Sequence, residues 1–381
     1  MISKNYDVVV VGSGVFGIWS AYKLHAAGKR VAVVDFENPA HHLSSSGGES
    51  RVTRCSYGDV ETYTEWASRS ISDWQALSAK TRIPVFHQVG VLRIHKKNDE
   101  SVMASTRMLE RYEIPFTVLS PSELREQFPV MQVRDDEAGF FEPQGGALMA
   151  KRSVQLLAAN LAQSGVVFIS GLVLPIQQQQ GYKGSLPSVT TVDGDRIDAE
   201  QFVIACGPWL DQVCPDAMAG RLFVTRQEVF FFDTNVNATG ALPVWSDLPF
   251  YGFPSFEGRG FKIANDTHGC FVDPNTMDRN ASNEGEADVR AYLRDRFPAF
   301  ANAPLSETRV CQYENSSDGH FLMDRHPGFD NVWLVGCGSG HGFKHGPAVG
   351  NHVVDLINGT KEPLELFLLE SKRLQQDRIV L

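Results

Sequence analysis

Cysteine is scarce in this sequence: there are six in 381 residues, standing apart at 55, 206, 214, 270, 311 and 337. With no Cys-x-x-Cys pair and no disulfide-rich spacing, reduced thiols are expected, and any special cysteine is special for chemistry. No apolar run is long enough to cross a bilayer. The first residues, Met1-Ile2-Ser3-Lys4-Asn5-Tyr6-Asp7, lack the basic, apolar and small-residue regions of a secretion signal, so the cytoplasm is the expected compartment. Basic residues are outnumbered 35 to 45, giving a net charge of -10, and no basic stripe would attract a nucleic-acid backbone. Neither nucleic acid nor membrane is an expected partner. Internal repeats and low-complexity linkers are missing too, so nothing divides the chain into independent beads. The remaining composition, 43% hydrophobic and 21% charged, is that of an ordinary globular protein long enough for two intimately packed domains.

The N-terminal residues carry a recognisable unit. Asp7 to Val11 is a β-branched run, and Gly12-Ser13-Gly14-Val15-Phe16-Gly17 opens a helical pattern through Ala21, Leu24 and Ala27. A second strand, Val31 to Val34, ends at Asp35, eighteen residues beyond Gly17. Strand, glycine turn, helix, strand and acid together form a dinucleotide fingerprint. Gly12 allows the tight turn, Gly14 lets the backbone approach a pyrophosphate at the helix N-terminus, and Gly17 permits close packing of helix on strand. Asp35 is expected to accept from a ribose. This fingerprint alone does not separate NAD from FAD.

Further along, the periodicity predicts helices over Glu61 to Arg82, Met103 to Tyr112, Ser122 to Phe128, Ala150 to Ser164, Asp288 to Phe297 and Ala348 to Ile357, with Ser120 or Ser122 capping the third. Strands are expected at Val91 to Ile94, Val166 to Ile169, Phe202 to Ala205 and Val332 to Val335, and a hairpin from Val189–Val192 and Arg196–Ala199. From Arg221 to Val272 the pattern is mostly β, rich in Phe and broken by Gly and Pro. Because the fingerprint opens the chain and a glycine-rich partner, Gly336-Cys337-Gly338-Ser339-Gly340-His341-Gly342-Phe343-Lys344, lies near its end, the nucleotide half must be discontinuous. The expected fold is α/β, a discontinuous Rossmann-like domain (1–86, 146–219 and 313–381) with a mainly antiparallel β substrate domain (87–145 and 220–312). A ligand between the two would be buried.

Read in order, Gly12 to Gly17, Asp35, Ser50-Arg51-Val52-Thr53-Arg54 with Tyr57-Gly58, Cys206-Gly207-Pro208-Trp209, Tyr251-Gly252-Phe253-Pro254-Ser255-Phe256, Lys262, Cys311-Gln312-Tyr313 and Ser339 to Lys344 resemble the sarcosine oxidase-like flavoproteins of the D-amino acid oxidase superfamily. The resemblance spans nearly the whole chain. It implies FAD extended along the first domain, contacted by Gly12, Gly14, Val15, Phe16, Gly17, Asp35, Ser45, Arg51, Arg54, Gly207, Trp209, Gly338, Gly340, His341, Gly342, Phe343 and Lys344. Cys311 stands where that family often joins the 8α-methyl of the flavin. Arg54 and Lys344 match residues that hold a substrate carboxylate, Lys262 the lysine that assists reaction with oxygen, and Tyr251 and Tyr313 pocket tyrosines. Two departures bear on substrate: Asp266 and Gly47 replace histidines of the sarcosine type. An acid at 266 favours a cationic or hydrogen-bond-donating substrate and disfavours a second carboxylate nearby.

What the resemblance implies is oxidation of the C–N bond of a secondary amine or N-substituted amino acid to an imine, by a monomer that passes electrons to O2 and releases H2O2. Rival readings are a dehydrogenase with another acceptor and a non-catalytic FAD-binding protein. No metal is expected: Cys337, His341 and His345 have a ligand-like spacing, but glycines at 338, 340, 342 and 346 oppose a helix there.

Overall fold

The computed structural model describes residues 6–177, 184–234 and 242–376. Its first strand, Tyr6–Val11, lies between two parallel neighbours, Val31–Asp35 and Arg196–Ile204. The seven-stranded sheet built around it runs Leu322–Arg325, Val332–Gly336, Arg196–Ile204, Tyr6–Val11, Val31–Asp35 and Val167–Ser170, with Ser188–Thr190 paired to Arg196–Ile204 off this path. Val8, Val9, Val10, Val33, Val203 and Leu334 are wholly or almost wholly buried, as near-continuous apolar strands covered on both faces must be. Gly12, at φ 102°, turns the chain where a Cβ would strike the Ala205 carbonyl, and a Cβ on Gly17 would strike the carbonyl of Gly12. Helix Val15–Ala26 therefore lies hard against the sheet.

A second sheet has eight strands in the order Leu305–Asn315, Phe223–Phe232, Phe261–Asn265, Phe250–Phe253, Val244–Asp247, Val91–Lys96, Glu137–Glu142 and Thr117–Leu119. All neighbours are antiparallel except Val244–Asp247 with Val91–Lys96. Trp245, Phe261, Phe297 and Phe300 make its core with Val289 and Leu293 of helix Asn283–Arg296. Arg296, 2% exposed, closes that helix onto the sheet through both oxygens of Glu137 (2.7 Å each) and Oδ2 of Asp247 (3.0 Å). A buried guanidinium is tolerable only when paired in this way. Between the large sheets lies a three-stranded one, Ser50–Thr53, Gly146–Met149 and Phe86–His87, which delivers Arg51 and leads into Arg54.

The mixed α/β architecture is the expected one, with differences of detail. The predicted strand Phe202–Ala205 and the second arm of the predicted hairpin are one strand, Arg196–Ile204. Its first residues pair antiparallel with Ser188–Thr190 and its last pair parallel with Val332–Gly336 and Tyr6–Val11. The helix expected from Asp288 starts at Asn283, where the Ser282 hydroxyl accepts from the Gly285 N–H. Ser120 is the cap of helix Pro121–Gln127, with a reciprocal capping box to Glu123. Among the described residues no helix is long and apolar enough to cross a membrane.

Candidate active site

Two neighbouring clefts open between the sheets. The first, about 1090 Å³, follows the glycine turn and is lined by Gly12, Gly14, Val15, Phe16, Asp35, Ser45, Gly207, Trp209, Gly338, Gly340 and Gly342. Gly14 is the N-cap of helix Val15–Ala26, and no acid occupies the first turn, so the positive end of the helix dipole is left for an anion. A Cβ on Gly14 would meet only the Ser46 hydroxyl at 3.6 Å, so its open face is turned to the cleft. Asp35 ends its strand with Oδ2 accepting from both the N–H and the hydroxyl of Ser13 at 2.6 Å. Trp209 and Phe36 meet edge to face at 5.5 Å, and the Trp209 indole donates to Asn275 at 2.8 Å.

The Gly336–Lys344 segment forms the other wall. Cys337 and Ser339 stand at φ 56° and 45°, left-handed values that cost energy for residues with a side chain and that concentrate at functional sites. A Cβ on Gly340 would lie 2.9 Å from the Tyr313 ring, and one on Gly342 would lie 2.8 Å from Phe16. These glycines keep a cradle open that any side chain would fill. Glu314 braces the loop: its backbone carbonyl accepts from Ser339 (3.0 Å) and its Oε1 from the Gly338 N–H (3.2 Å). Burial pushes the Glu314 carboxyl up to about 7.

The second cleft, about 1200 Å³, shares Arg51, Tyr313, Gly340 and Phe343 with the first and adds Arg54, Arg93, Tyr251, Asp266, His268, Cys311, His341 and Lys344. Lys344 is buried, and its Nζ donates to the Tyr57 hydroxyl (2.7 Å) and the His341 carbonyl (3.1 Å). Burial, then the charge of Arg54, drives the Lys344 ammonium well below the ordinary lysine value. Arg54 donates to the Ser56 carbonyl and lies 4.7 Å over the Tyr57 ring. Among the described residues, neither cation has a carboxylate within ion-pair distance. Asp266 Oδ1 accepts from the Tyr313 hydroxyl at 2.6 Å, and Tyr251 stands beside Tyr313. Arg51 Nη2 donates to the Ser45 carbonyl (2.7 Å) and lies 3.6 Å from Cys311 Sγ.

Lys262 is placed differently. It is 3% exposed and does not line either cleft; its Nζ donates to the carbonyl (2.9 Å) and hydroxyl (3.1 Å) of Ser50, behind Arg51. His341 and His345 turn to Tyr57 rather than converging with Cys337, and among the described residues no group of three metal-ligating side chains is assembled. Sequence reasoning missed Glu142. Its buried carboxylate accepts from the N–H groups of Cys55 (2.6 Å) and Ser56 (3.2 Å) and from the Ser56 hydroxyl, fixing the turn that carries Arg54. A buried acid ending the strand Glu137–Glu142 after Phe140 and Phe141 was the available signal. Arg93, half-buried in the second cleft and paired with Asp99 at 3.3 Å, was also missed.

A mostly parallel sheet with a glycine turn at its carboxyl edge, a helix N-terminus with no acid in its first turn and a glycine cradle opposite define a dinucleotide-binding protein with a second cleft beside the first. The chain belongs to the FAD dependent oxidoreductase family, whose model matches residues 7–356. It is 28% identical to monomeric sarcosine oxidase of Bacillus sp. (strain NS-129) over 391 aligned positions, covering 99% of this chain and 100% of that protein. It is 26% identical to N-methyl-L-tryptophan oxidase of Yersinia pestis (strain Pestoides F), covering 95% and 97%. Among solved structures, fructosamine oxidase (Amadoriase II) of Aspergillus fumigatus superposes with a TM-score of 0.81 at 22% identity, covering 97% of this chain and 90% of that one. FAD is thus the cofactor, and the first cleft fits it: open glycine faces, a helix N-terminus without an acid in its first turn and an acidic acceptor lie along its length.

Proposed function

We propose that this enzyme oxidises the C–N bond of a secondary amine or N-substituted amino acid to an imine, with O2 reduced to H2O2. The observation that carries this reading is the pair Arg54 and Lys344, two cations without carboxylate partners, facing the second cleft beside the residues it shares with the cofactor cleft. Bound FAD supplies the acceptor for a hydride and relays the electrons to oxygen. Gly12, Gly14 and Gly17 with Val15, Phe16 and Asp35 would hold its dinucleotide part, and Ser45, Gly207 and Trp209 its flanks. Gly338, Gly340, His341, Gly342 and Phe343 would line the ring.

Arg54 and Lys344 would bind the carboxylate and so fix which carbon faces the ring. The Tyr57 hydroxyl holds Lys344 by accepting from its Nζ, and Tyr251 and Tyr313 line the same cleft. Lys262, with its ammonium pressed well below the ordinary value by burial and by Arg51, would be held in its charged form only when negative charge develops nearby, which suits the step with oxygen. Cys311, within reach of Arg51, is the proposed tether of the flavin. The curated relatives named as sarcosine and N-methyl-L-tryptophan oxidases support this substrate class. The enzyme would work as a cytoplasmic monomer on a small molecule. The test is a panel of N-methyl and cyclic amino acids, followed by peroxide release and by anaerobic bleaching of the flavin. Failure of every amine to bleach it overturns the reading.

A further inference from the structure

A zwitterionic amino acid brings a charged nitrogen as well as a carboxylate into the second cleft, and Arg54 and Lys344 answer only the carboxylate. Among the described residues lining that cleft, the single acid is Asp266. Its backbone is fixed just beyond strand Phe261–Asn265 by donation of its N–H to the Pro249 carbonyl (2.8 Å). Oδ1 is taken by the Tyr313 hydroxyl at 2.6 Å, while Oδ2 has no partner among the described residues. Around the carboxyl stand Tyr313 from strand Leu305–Asn315, Tyr251 from strand Phe250–Phe253, His268 two residues on, and Arg54 and Lys344 acting through space. His268 lies with its ring 6.0 Å from that of Tyr313. None of these cations closes an ion pair with Asp266, so its second oxygen is left for a ligand.

We propose that Asp266 is the ammonium anchor and proton acceptor for the substrate nitrogen. Oδ2 takes the proton: the N–H bond breaks, an O–H bond forms, and the electron pair stays on nitrogen, ready for loss of hydride from the adjacent carbon. The preferred substrates are amino acids that carry an N–H and arrive as zwitterions; N-acylated and quaternary nitrogens, and a second carboxylate beside the nitrogen, are excluded. Burial holds the Asp266 carboxyl above the ordinary aspartate value, which improves it as an acceptor, while Tyr313, Arg54 and Lys344 draw it back down.

This rests on the amine-oxidation reading, and the experiment separates the two. In flavin-loaded protein, anaerobic bleaching by the best N-methyl amino acid of the panel is followed from about pH 6 to about pH 10 for the unaltered protein, Asp266→Asn and Tyr313→Phe. Asp266→Asn should slow bleaching about 100-fold at neutral pH and recover about tenfold per pH unit toward the pKa of the amine, because free base then arrives already deprotonated. Tyr313→Phe should move the acid limb to higher pH. Equal rates in Asp266→Asn, or a loss that is the same at every pH, overturns the proposal. Binding is read separately from the shift of the flavin spectrum with N-methylalanine and with propionate. Asp266→Asn should weaken the first about tenfold and leave the second unchanged or tighter. An unaltered ratio overturns the anchor even if no amine bleaches the flavin, an outcome that would by itself sink only the amine-oxidation reading.

Discussion

Glu142→Gln tests whether the turn bearing Arg54 is held as the structure shows. The carboxylate takes three hydrogen bonds, from Cys55 N, Ser56 N and Ser56 Oγ, all out of contact with water. Hydrogen bonds to a charged acceptor contribute about 1.5–3 kcal/mol each and neutral ones about 1 kcal/mol, while an unmade buried bond costs about 1–3 kcal/mol. A carboxamide offers one acceptor oxygen and turns an N–H2 toward a donor, so the substitution should cost about 3 kcal/mol, a large share of a typical stability of about 5–15 kcal/mol. Because Arg54 donates to the Ser56 carbonyl, loss of the turn also displaces the guanidinium. Propionate affinity should fall about tenfold, or about 1.4 kcal/mol. Guanidinium unfolding gives the first number and a flavin-monitored titration the second. Glu137→Gln is the comparison: it breaks the buried Arg296 pair away from both clefts, so it should lower the unfolding midpoint and leave propionate binding alone. A Glu142→Gln protein with unaltered midpoint and unaltered propionate affinity refutes the reasoning.

Cys311→Ser should release yellow colour into the supernatant on acid precipitation where the unaltered protein keeps it in the pellet; colour already free in the unaltered protein would remove the tether. Lys262→Met should reduce the rate of reoxidation by oxygen about 100-fold or more while anaerobic bleaching stays within a few-fold, as measured by stopped flow; an equal loss in both half-reactions would contradict its assignment to oxygen. Glu314 carries a pH signature. With its folded value raised from 4.5 to about 7, the native state keeps a proton that the unfolded chain releases. Stability from this group is therefore fully present below about 4.5 and lost as pH rises through about 7, by up to about 3 kcal/mol. Glu314→Gln should flatten that decline in the unfolding midpoint; an identical pH slope in both proteins would argue against a buried neutral carboxyl.

The parts of the fold fixed by local chemistry were legible beforehand. The glycine turn, the helix behind it and the acid at Asp35 are close in sequence, and each answers to a steric or dipolar need that a string of residues displays. A serine cap before helix Pro121–Gln127 was likewise legible, with the choice between Ser120 and Ser122 settled by the fold in favour of Ser120. Elements whose identity depends on distant partners were not legible. Arg196–Ile204 read as two pieces because its polar first half suits a hairpin and its apolar second half suits a buried parallel strand, and only pairing joins them. Helix Asn283–Arg296 hid its first turn behind Gly285 and a run of acids that favour a helix N-terminus but show no apolar face. At the site, the family motifs marked Arg54 and Lys344, whereas Glu142 acts on residues 86 and 87 positions away, so the acid in its strand does not announce its partners. Lys262 matched the lysine that assists reaction with oxygen, but its burial against Ser50 is a fact of packing that no pattern encodes.

Strand Leu305–Asn315 is hydrogen-bonded to Phe223–Phe232 over nearly its whole length, with Cys311 opposite Gln227 and Tyr313 opposite Thr225. Along it, Cys311 and Tyr313 reach the substrate cleft, while Gln312 and Glu314 reach the cofactor cleft and not the other. Side chains alternate along a strand, so a slip of one residue would exchange the two sets and put a glutamine where the sulfur belongs. The long pairing is thus a ruler. A single inserted residue near position 308 should therefore abolish the proposed flavin attachment and the proposed substrate recognition together.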